Sequence, residues 1–357
     1  MLIYILVILF ILLLMYNLSG LPAGKLRDKT ENRALKVVCW VLVLLAALRG
    51  SSVGTDTIGY WQHYTTVMPM RSFALILAKN ADYPGYYLLA KTCSLLHFPI
   101  QLLFGILEGL YVFAIYKFVN RYSEDKLFSI IGFVFLDLYA FSLAGLKQTL
   151  SMAFVLLYYM ALVDKKYVNT VLLAIAAYFC HQASLIFLAG IALYFMRNMK
   201  LFYVYLAAIV LVLLLGTRFV WTSLIDLLEN DHYTSLYKQD EGYSSTTMMY
   251  YGVLVFVLFL FGRGYMQKKR VESRVMLGMS TLAFALQALS FVSSAAFRLS
   301  YYFLPFMIVA FPNDFNRMEH PDSRDFVKFM VGFILVFFFI YTNRNGGSVV
   351  PYKFFWQ

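Results

Sequence analysis

The sequence predicts an all-α, polytopic integral membrane protein: a bundle of about 12 transmembrane helices. Three observations carry this. Of its 357 residues 61% are hydrophobic, 18% aromatic and only 14% charged, against roughly 25% charged in an ordinary soluble domain. Apolar stretches of about 15 to 20 residues recur between short polar breaks, as a hydrocarbon core of about 30 Å demands of spanning helices. Twenty of the thirty Lys and Arg residues also fall into six clusters, which the positive-inside rule assigns to the cytoplasmic side.

The elements follow in order. A first span near 2–18 has no basic residue before it and no A-x-A pattern after it, so it is expected to be a retained anchor and not a cleaved signal. Lys25, Arg27, Lys29, Arg33 and Lys36 precede a second span near 34–50. The next apolar segment, 83–97, is short and tyrosine-rich, and counting it as a span would place Lys117, Arg121 and Lys126 outside. It is expected to be a re-entrant or interfacial helix on the outer face. Spans near 98–117 and 127–144 flank that second basic cluster, and spans near 146–163 and 167–180 flank Lys165 and Lys166. The segment 183–197 returns to Arg197 and Lys200, 201–217 leads outward, and 248–264 comes back to Arg263, Lys268, Lys269, Arg270 and Arg274. Spans near 275–292, 297–312 and 326–342 follow, with Arg317, Arg324 and Lys328 between the last two. Both termini then fall outside, the chain forms one multi-pass domain over 1–357, and outer loops 50–97 and 218–247 are the expected substrate site.

The net charge of +11 is therefore a topology signal, and nucleic acid is not an expected partner. Cys39, Cys93 and Cys180 form no C-x-x-C and sit in or near apolar segments, which indicates neither a disulfide framework nor a zinc site. The acidic residues Asp226, Glu229, Asp231, Asp240 and Glu241, with His232, match no metal-site spacing and read as a solvated loop. No P-loop, dinucleotide fingerprint, G-x-S-x-G or H-E-x-x-H is present, so ATP-driven transport has no support and no cofactor is expected.

Ten basic residues remain on the outer side: Arg49, Arg71, Lys79, Lys91, Lys147, Arg218, Lys238, Arg298, Arg344 and Lys353. A lone cation inside a span costs about 2.5–3.5 kcal/mol at the helix centre unless it faces protein or water. Arg49, Lys147 and Arg298 sit at span ends beside hydroxyl and amide residues, and their recurrence in one layer points to an anion site. Snorkelling at the interface is the plainer account of each taken singly. His181 interrupts some thirty apolar residues in the same layer, where a packing role competes with a chemical one. The outer tyrosines would by default form an interfacial aromatic belt, although ring faces also suit sugars. Glu108 and Asp137 fall within spans, as packing residues or as a proton path.

Arg49 followed by VGTDTIGYWQHY, then DYPGYYLLAK (82–91), LKQTLSMAF (146–154), FCHQASLIFL (179–188), FRLSYYFLPF (297–306) and a terminal VVPYKFFW together resemble the EpsG family, Wzy-like polymerases of bacterial exopolysaccharide, capsule and O-antigen. The resemblance runs in order over nearly the whole chain. It departs where the family usually has arginine before glutamine, since this chain has Lys147 before Gln148, and where Tyr83 separates Asp82 from Pro84. The resemblance implies a glycosyltransferase of the bacterial cytoplasmic (inner) membrane. It joins oligosaccharide repeat units carried on undecaprenyl pyrophosphate at the outer face, with a flippase and a chain-length regulator of the same pathway as partners besides the bilayer.

In that scheme Arg298 and Arg49, with Lys147, hold the pyrophosphate. His181 is the first choice of general base, because an unperturbed imidazole titrates near about 6.5. Asp56 is the alternative base, or orients an arginine, or binds sugar hydroxyls. Gln148, Thr55, Thr57 and Tyr60 are sugar or phosphate contacts, Asp82 and Tyr301 further substrate contacts, and no metal is required. The competing readings are a transporter of lipid-linked oligosaccharide, disfavoured because the polar residues form one outer layer instead of a path, and a ligase that moves finished polymer to another acceptor.

Overall fold

The computed structural model describes residues 1–196, 198–227, 246–261, 270–293, 296–343 and 349–357. Among them every element is helical. The order is α1 (Leu2–Ser19), α2 (Lys25–Ala47), α3 (Thr57–Gln62), a π-helical turn (His63–Val67), α4 (Met68–Met70), α5 (Phe73–Lys79), α6 (Pro84–Leu95), α7 (Ile100–Tyr122), α8 (Lys126–Phe135), α9 (Leu138–Ala144), α10 (Leu146–Val163) and α11 (Tyr167–Cys180). There follow a 3-10 turn (Gln182–Ile186), α12 (Phe187–Phe195), α13 (Met199–Leu215), α14 (Thr217–Leu227), α15 (Thr246–Phe261), α16 (Arg270–Leu286), two 3-10 turns (Gln287–Phe291 and Ala296–Tyr302), α17 (Leu304–Phe315) and α18 (Pro321–Asn343). The all-α, multi-pass membrane architecture is as the sequence predicts.

Among the described residues five helices are long and apolar enough to cross a membrane, α1, α7, α10, the helix running on from α16, and α18, or seven if each of two bent pairs is one span. The predicted spans near 167–180, 183–197, 248–264 and 297–312 contain shorter apolar helices of 10–17 residues. At 1.5 Å per residue the 14 residues of α11 and the 12 of α17 fall short of a core of about 30 Å, while the predicted span 248–264 runs on beyond the described residues. The predicted span 127–144 is the pair α8 and α9, bent by 51° at Asp137, whose φ of 66° puts it in the left-handed region. The segment after 201 bends by 93° between α13 and α14, so the helix continues as α14 into what the sequence reads as the outer loop 218–247. In α2 only 37–47 is free of charge, because its first half carries the basic cluster. Twelve apolar segments are thus legible, but fewer of them are full-length helices.

The chain divides into two compact units, Met1–Ser184 with Gly332–Gln357, and Leu185–Val331. In the first, α10 packs against α7 and α11, α2 packs against α7 and α8, and α6 packs against α11. Three of the predicted cytoplasmic connections meet at one end of this unit. The Lys126 ammonium lies 3.5 Å from Glu31, the Arg121 guanidinium lies 2.7 Å from Asp164, and Asp125 caps α8 by accepting from the Phe128 amide at 3.1 Å. That hydrogen bond from Arg121 holds the Asp164 carboxyl below its ordinary range. Since α10 has 18 residues, about 27 Å, Lys147 at its start lies at the opposite end from Asp164. In the second unit α16 is central and packs against α12, α13, α15 and α17.

Candidate active site

The polar loop after α2 is fastened from three directions. The amide of Gly50 donates to the Lys353 carbonyl at 2.8 Å and that of Phe355 to the Leu48 carbonyl at 2.9 Å, so Arg49 and Phe354 form an antiparallel bridge. The Tyr352 hydroxyl reaches the Leu45 carbonyl, and the Tyr4 hydroxyl donates to the Val349 carbonyl at 3.3 Å. From below, the Leu143 carbonyl, near the end of α9 where the helical ladder runs out, accepts from Arg49 Nη2 at 3.1 Å and from Thr57 Oγ1 at 3.1 Å.

Arg49 points into the protein. Its side chain is 0% exposed, Nη1 donates to the Ala46 carbonyl at 2.7 Å, and its guanidinium carbon lies 4.0 Å from the centre of the Phe104 ring. Glu108 supplies the opposing charge and accepts from Ser142 Oγ at 2.9 Å. The residue expected to hold pyrophosphate is therefore placed beneath the loop, bonded to carbonyls, with Thr57 beside it. Glu108 is its counter-charge, which makes it the packing residue of the two sequence readings.

Gly54 completes this fastening. Its φ is +100°, and a Cβ there would stand 2.5 Å from the Leu143 carbonyl oxygen. Gly54→Ala is expected to lower stability by at least about 1–3 kcal/mol, the range for a residue forced into a sparsely populated backbone region. Thermal unfolding in detergent checks this, and an unchanged midpoint would contradict it.

The open side of the same end is organised by Lys147. Its ammonium lies 4.3 Å from the Tyr83 ring centre, 4.9 Å from Tyr87 and 5.9 Å from Tyr86. Cation–ring contacts are worth about 0.5–2 kcal/mol each and leave the N–H groups available for other partners. The carboxylates of Asp82 and Asp56 act on the same ammonium electrostatically. All three tyrosines come from α6, opened by Pro84 at its first position. Gly85 lets this helix approach the end of α11, since a Cβ there would meet Cys180 Sγ at 2.7 Å.

That approach brings His181 to the cage. Residue 181 is extended, with φ −163° and ψ 113°, so α11 ends where the sequence shows its polar break. The imidazole stacks on Tyr83 with centres 5.5 Å apart and planes at 27°. On the other flank His63 meets the Tyr87 ring edge-on at 5.5 Å, and Tyr60 packs on Tyr86 at 5.5 Å.

Of the predicted site residues in the first unit, Asp56, Tyr60, Asp82, Lys147 and His181 thus converge on α6. Gln148 is buried behind Lys147, while Thr55 is exposed on the loop. Sequence reasoning left Tyr83, Tyr86 and Tyr87 to an aromatic belt and gave His63 no role. Their signal was present, since positions i, i+3 and i+4 share one face of a helix. Segment 83–97 is indeed helical over Pro84–Leu95 and too short to span, and it supplies the cage.

Arg298 and Tyr301 belong to the second unit. Both lie on the 3-10 turn Ala296–Tyr302, where Ser300 Oγ donates to the Phe297 carbonyl at 2.7 Å and accepts from Gln287 Nε2 at 2.7 Å. Arg298 is half-buried, and Tyr301 is buried with its ring edge-on to Phe297 at 5.7 Å. Glu229, Asp231, His232, Tyr233, Tyr237, Lys238, Asp240, Glu241, Tyr243 and Arg344 lie outside the described residues, as does the side chain of Asp226. Among the described residues no group of three His, Cys, Asp or Glu side chains is placed to share a metal ion.

The cluster combines a cation for an anionic group, imidazoles for proton transfer, and ring faces with carboxylates for sugars. Comparison with curated proteins and with solved structures finds no match. A family model described as the EpsG family matches residues 33–354, nearly the whole length, and the chain therefore belongs to the EpsG family of Wzy-like polysaccharide polymerases.

Proposed function

We propose that this chain polymerises oligosaccharide repeat units linked to undecaprenyl pyrophosphate, at the outer face of the bacterial cytoplasmic membrane. The observation that carries the reading is the caged Lys147 ammonium with His181 stacked on the same Tyr83 ring. A hydroxyl of the acceptor unit loses its proton to His181, with Asp56 the alternative acceptor, and its oxygen forms a bond to the anomeric carbon of the growing chain. The bond from that carbon to the pyrophosphate breaks, and undecaprenyl pyrophosphate leaves with the electron pair. Pyrophosphate is already a good leaving group, so the main electrostatic work is to stabilise its developing charge, the role proposed for Lys147 and Arg298. Asp56, Tyr60 and Asp82 are the proposed contacts to sugar hydroxyls and ring faces, with Thr55, Gln148 and Tyr301 as further proposed contacts.

The outer-face assignment rests on the positive-inside rule. The basic clusters share one end of the first unit, and Lys147 opens α10 at the other. A flippase that delivers the repeat units and a regulator of chain length, both of the same pathway, are the proposed partners.

Incubation of purified protein with a lipid-linked repeat unit, followed by mass analysis, tests the reading. A ladder of whole repeat units with release of undecaprenyl pyrophosphate is expected. Substrate that only crosses a vesicle membrane unchanged would replace polymerisation by transport.

A further inference from the structure

With Arg49 turned inward, the first unit needs another source of positive charge beside Lys147 if a diphosphate is to bind there. The π-helical turn His63–Val67 provides a candidate position. Such wide turns are rare and recur at functional sites, and this one opens with His63, whose ring edge rests on the Tyr87 face that also supports Lys147. Among the described residues no hydrogen bond occupies either ring nitrogen of His63. Short helix α4 follows directly and packs against both the π-turn and α6. It is held there by buried Lys91 of α6, whose ammonium donates to the Met68 carbonyl at 2.7 Å. Arg71, half-buried at the end of α4 with extended backbone, lies close enough for its charge to act on His63.

We infer that His63 and Arg71 join Lys147 in a diphosphate-recognising subsite, opposite His181 across the tyrosine cage. Burial and the neighbouring charges of Lys147 and Arg71 lower the proton affinity of His63, so its imidazole is neutral at pH 7 and offers one N–H to a phosphate oxygen. The charges of Lys147 and Arg71 both act on this one ring, so an anion beside it would be attracted by both. A dianionic group there would relieve the repulsion that the protein alone maintains. His63 and Arg71 contact the leaving group in this arrangement, and His181 is left to the acceptor hydroxyl.

The inference rests on the polymerase reading for its choice of substrate, and its test is separate. The purified full chain is titrated calorimetrically with inorganic pyrophosphate and with geranyl diphosphate. Binding is expected to weaken about tenfold or more in His63→Phe, which keeps a ring but no N–H, and in Arg71→Gln, which removes the charge, the scale of a lost hydrogen bond to a charged group. Arg71→Lys should recover part of it by keeping the charge, and His63→Asn, which retains an N–H donor, serves as the second variant at that position. Tighter binding of geranyl diphosphate than of pyrophosphate identifies a lipid diphosphate as the ligand, and equal or weaker binding identifies the free anion. Unchanged affinity in both His63→Phe and Arg71→Gln, or wild-type protein that binds neither compound, would overturn the subsite. A chain that binds through these residues but makes no ladder keeps the subsite and loses the polymerase reading; a ladder with unchanged affinities does the reverse.

Discussion

Arg49→Met is expected to lower the stability of the folded protein by about 3–5 kcal/mol, the cost of leaving a buried charge without its compensating opposite charge. The reason is Glu108. Its carboxylate lies in the same buried layer, one oxygen bonded to Ser142, and Oε2 has no hydrogen bond among the described residues. Without the guanidinium that charge stays buried and uncompensated, and the Leu143 carbonyl keeps only Thr57 as a side-chain donor. The companion Arg49→Met, Glu108→Gln double variant removes both charges and is expected to recover most of the loss. Arg49 Nε also has no hydrogen bond among the described residues, so the guanidinium is itself imperfectly satisfied. Membrane levels and thermal midpoints in detergent measure both. An Arg49→Met protein with wild-type stability and no polymer would instead mean that the guanidinium reaches substrate.

His181→Ala is expected to reduce polymerisation by about 10²–10⁴-fold, the contribution of a positioned general base, with little change in membrane level, since the imidazole is half-exposed. Tyr83 makes the result more specific. Tyr83→Phe retains the ring that stacks on His181 and supports Lys147, and should keep most of the activity. Tyr83→Ala removes the shared support and should approach the loss seen in His181→Ala. The ladder assay with lipid-linked repeat units reads all three. Full-length polymer from His181→Ala at normal levels would pass the proton-acceptor role to Asp56.

The sequence made the membrane class, the order of apolar segments and the break at His181 legible, because composition, periodicity and charge clusters are local signals. Helix length was less legible. Asp137 in the left-handed region divides one apolar stretch into α8 and α9, a backbone choice that hydropathy does not record. The site was half-legible: Lys147, His181, Asp56, Tyr60 and Asp82 were found as polar residues in one layer, and they meet. The direction of Arg49 was not, because it depends on the Leu143 carbonyl, freed by a helix end almost a hundred residues away in the chain. Nor was the role of Tyr83, Tyr86 and Tyr87, whose shared face acquires meaning only once α6 is set against α10 and α11.

The strap at 349–355 has a consequence for assembly. Strap and loop are separated in the sequence by the rest of the first unit and the whole of the second. During synthesis the Gly50 amide and Leu48 carbonyl must wait for Lys353 and Phe355, so the loop carrying Asp56, Tyr60 and His63 gains this support only after the second unit has been made. Contacts of such sequence separation form late, because the closure entropy of the intervening chain has to be overcome first. The end of the first unit that carries Lys147 is thus among the last parts of the protein to become rigid, and a nascent chain lacking the strap holds the helices of the candidate site without the tether that fixes its loop.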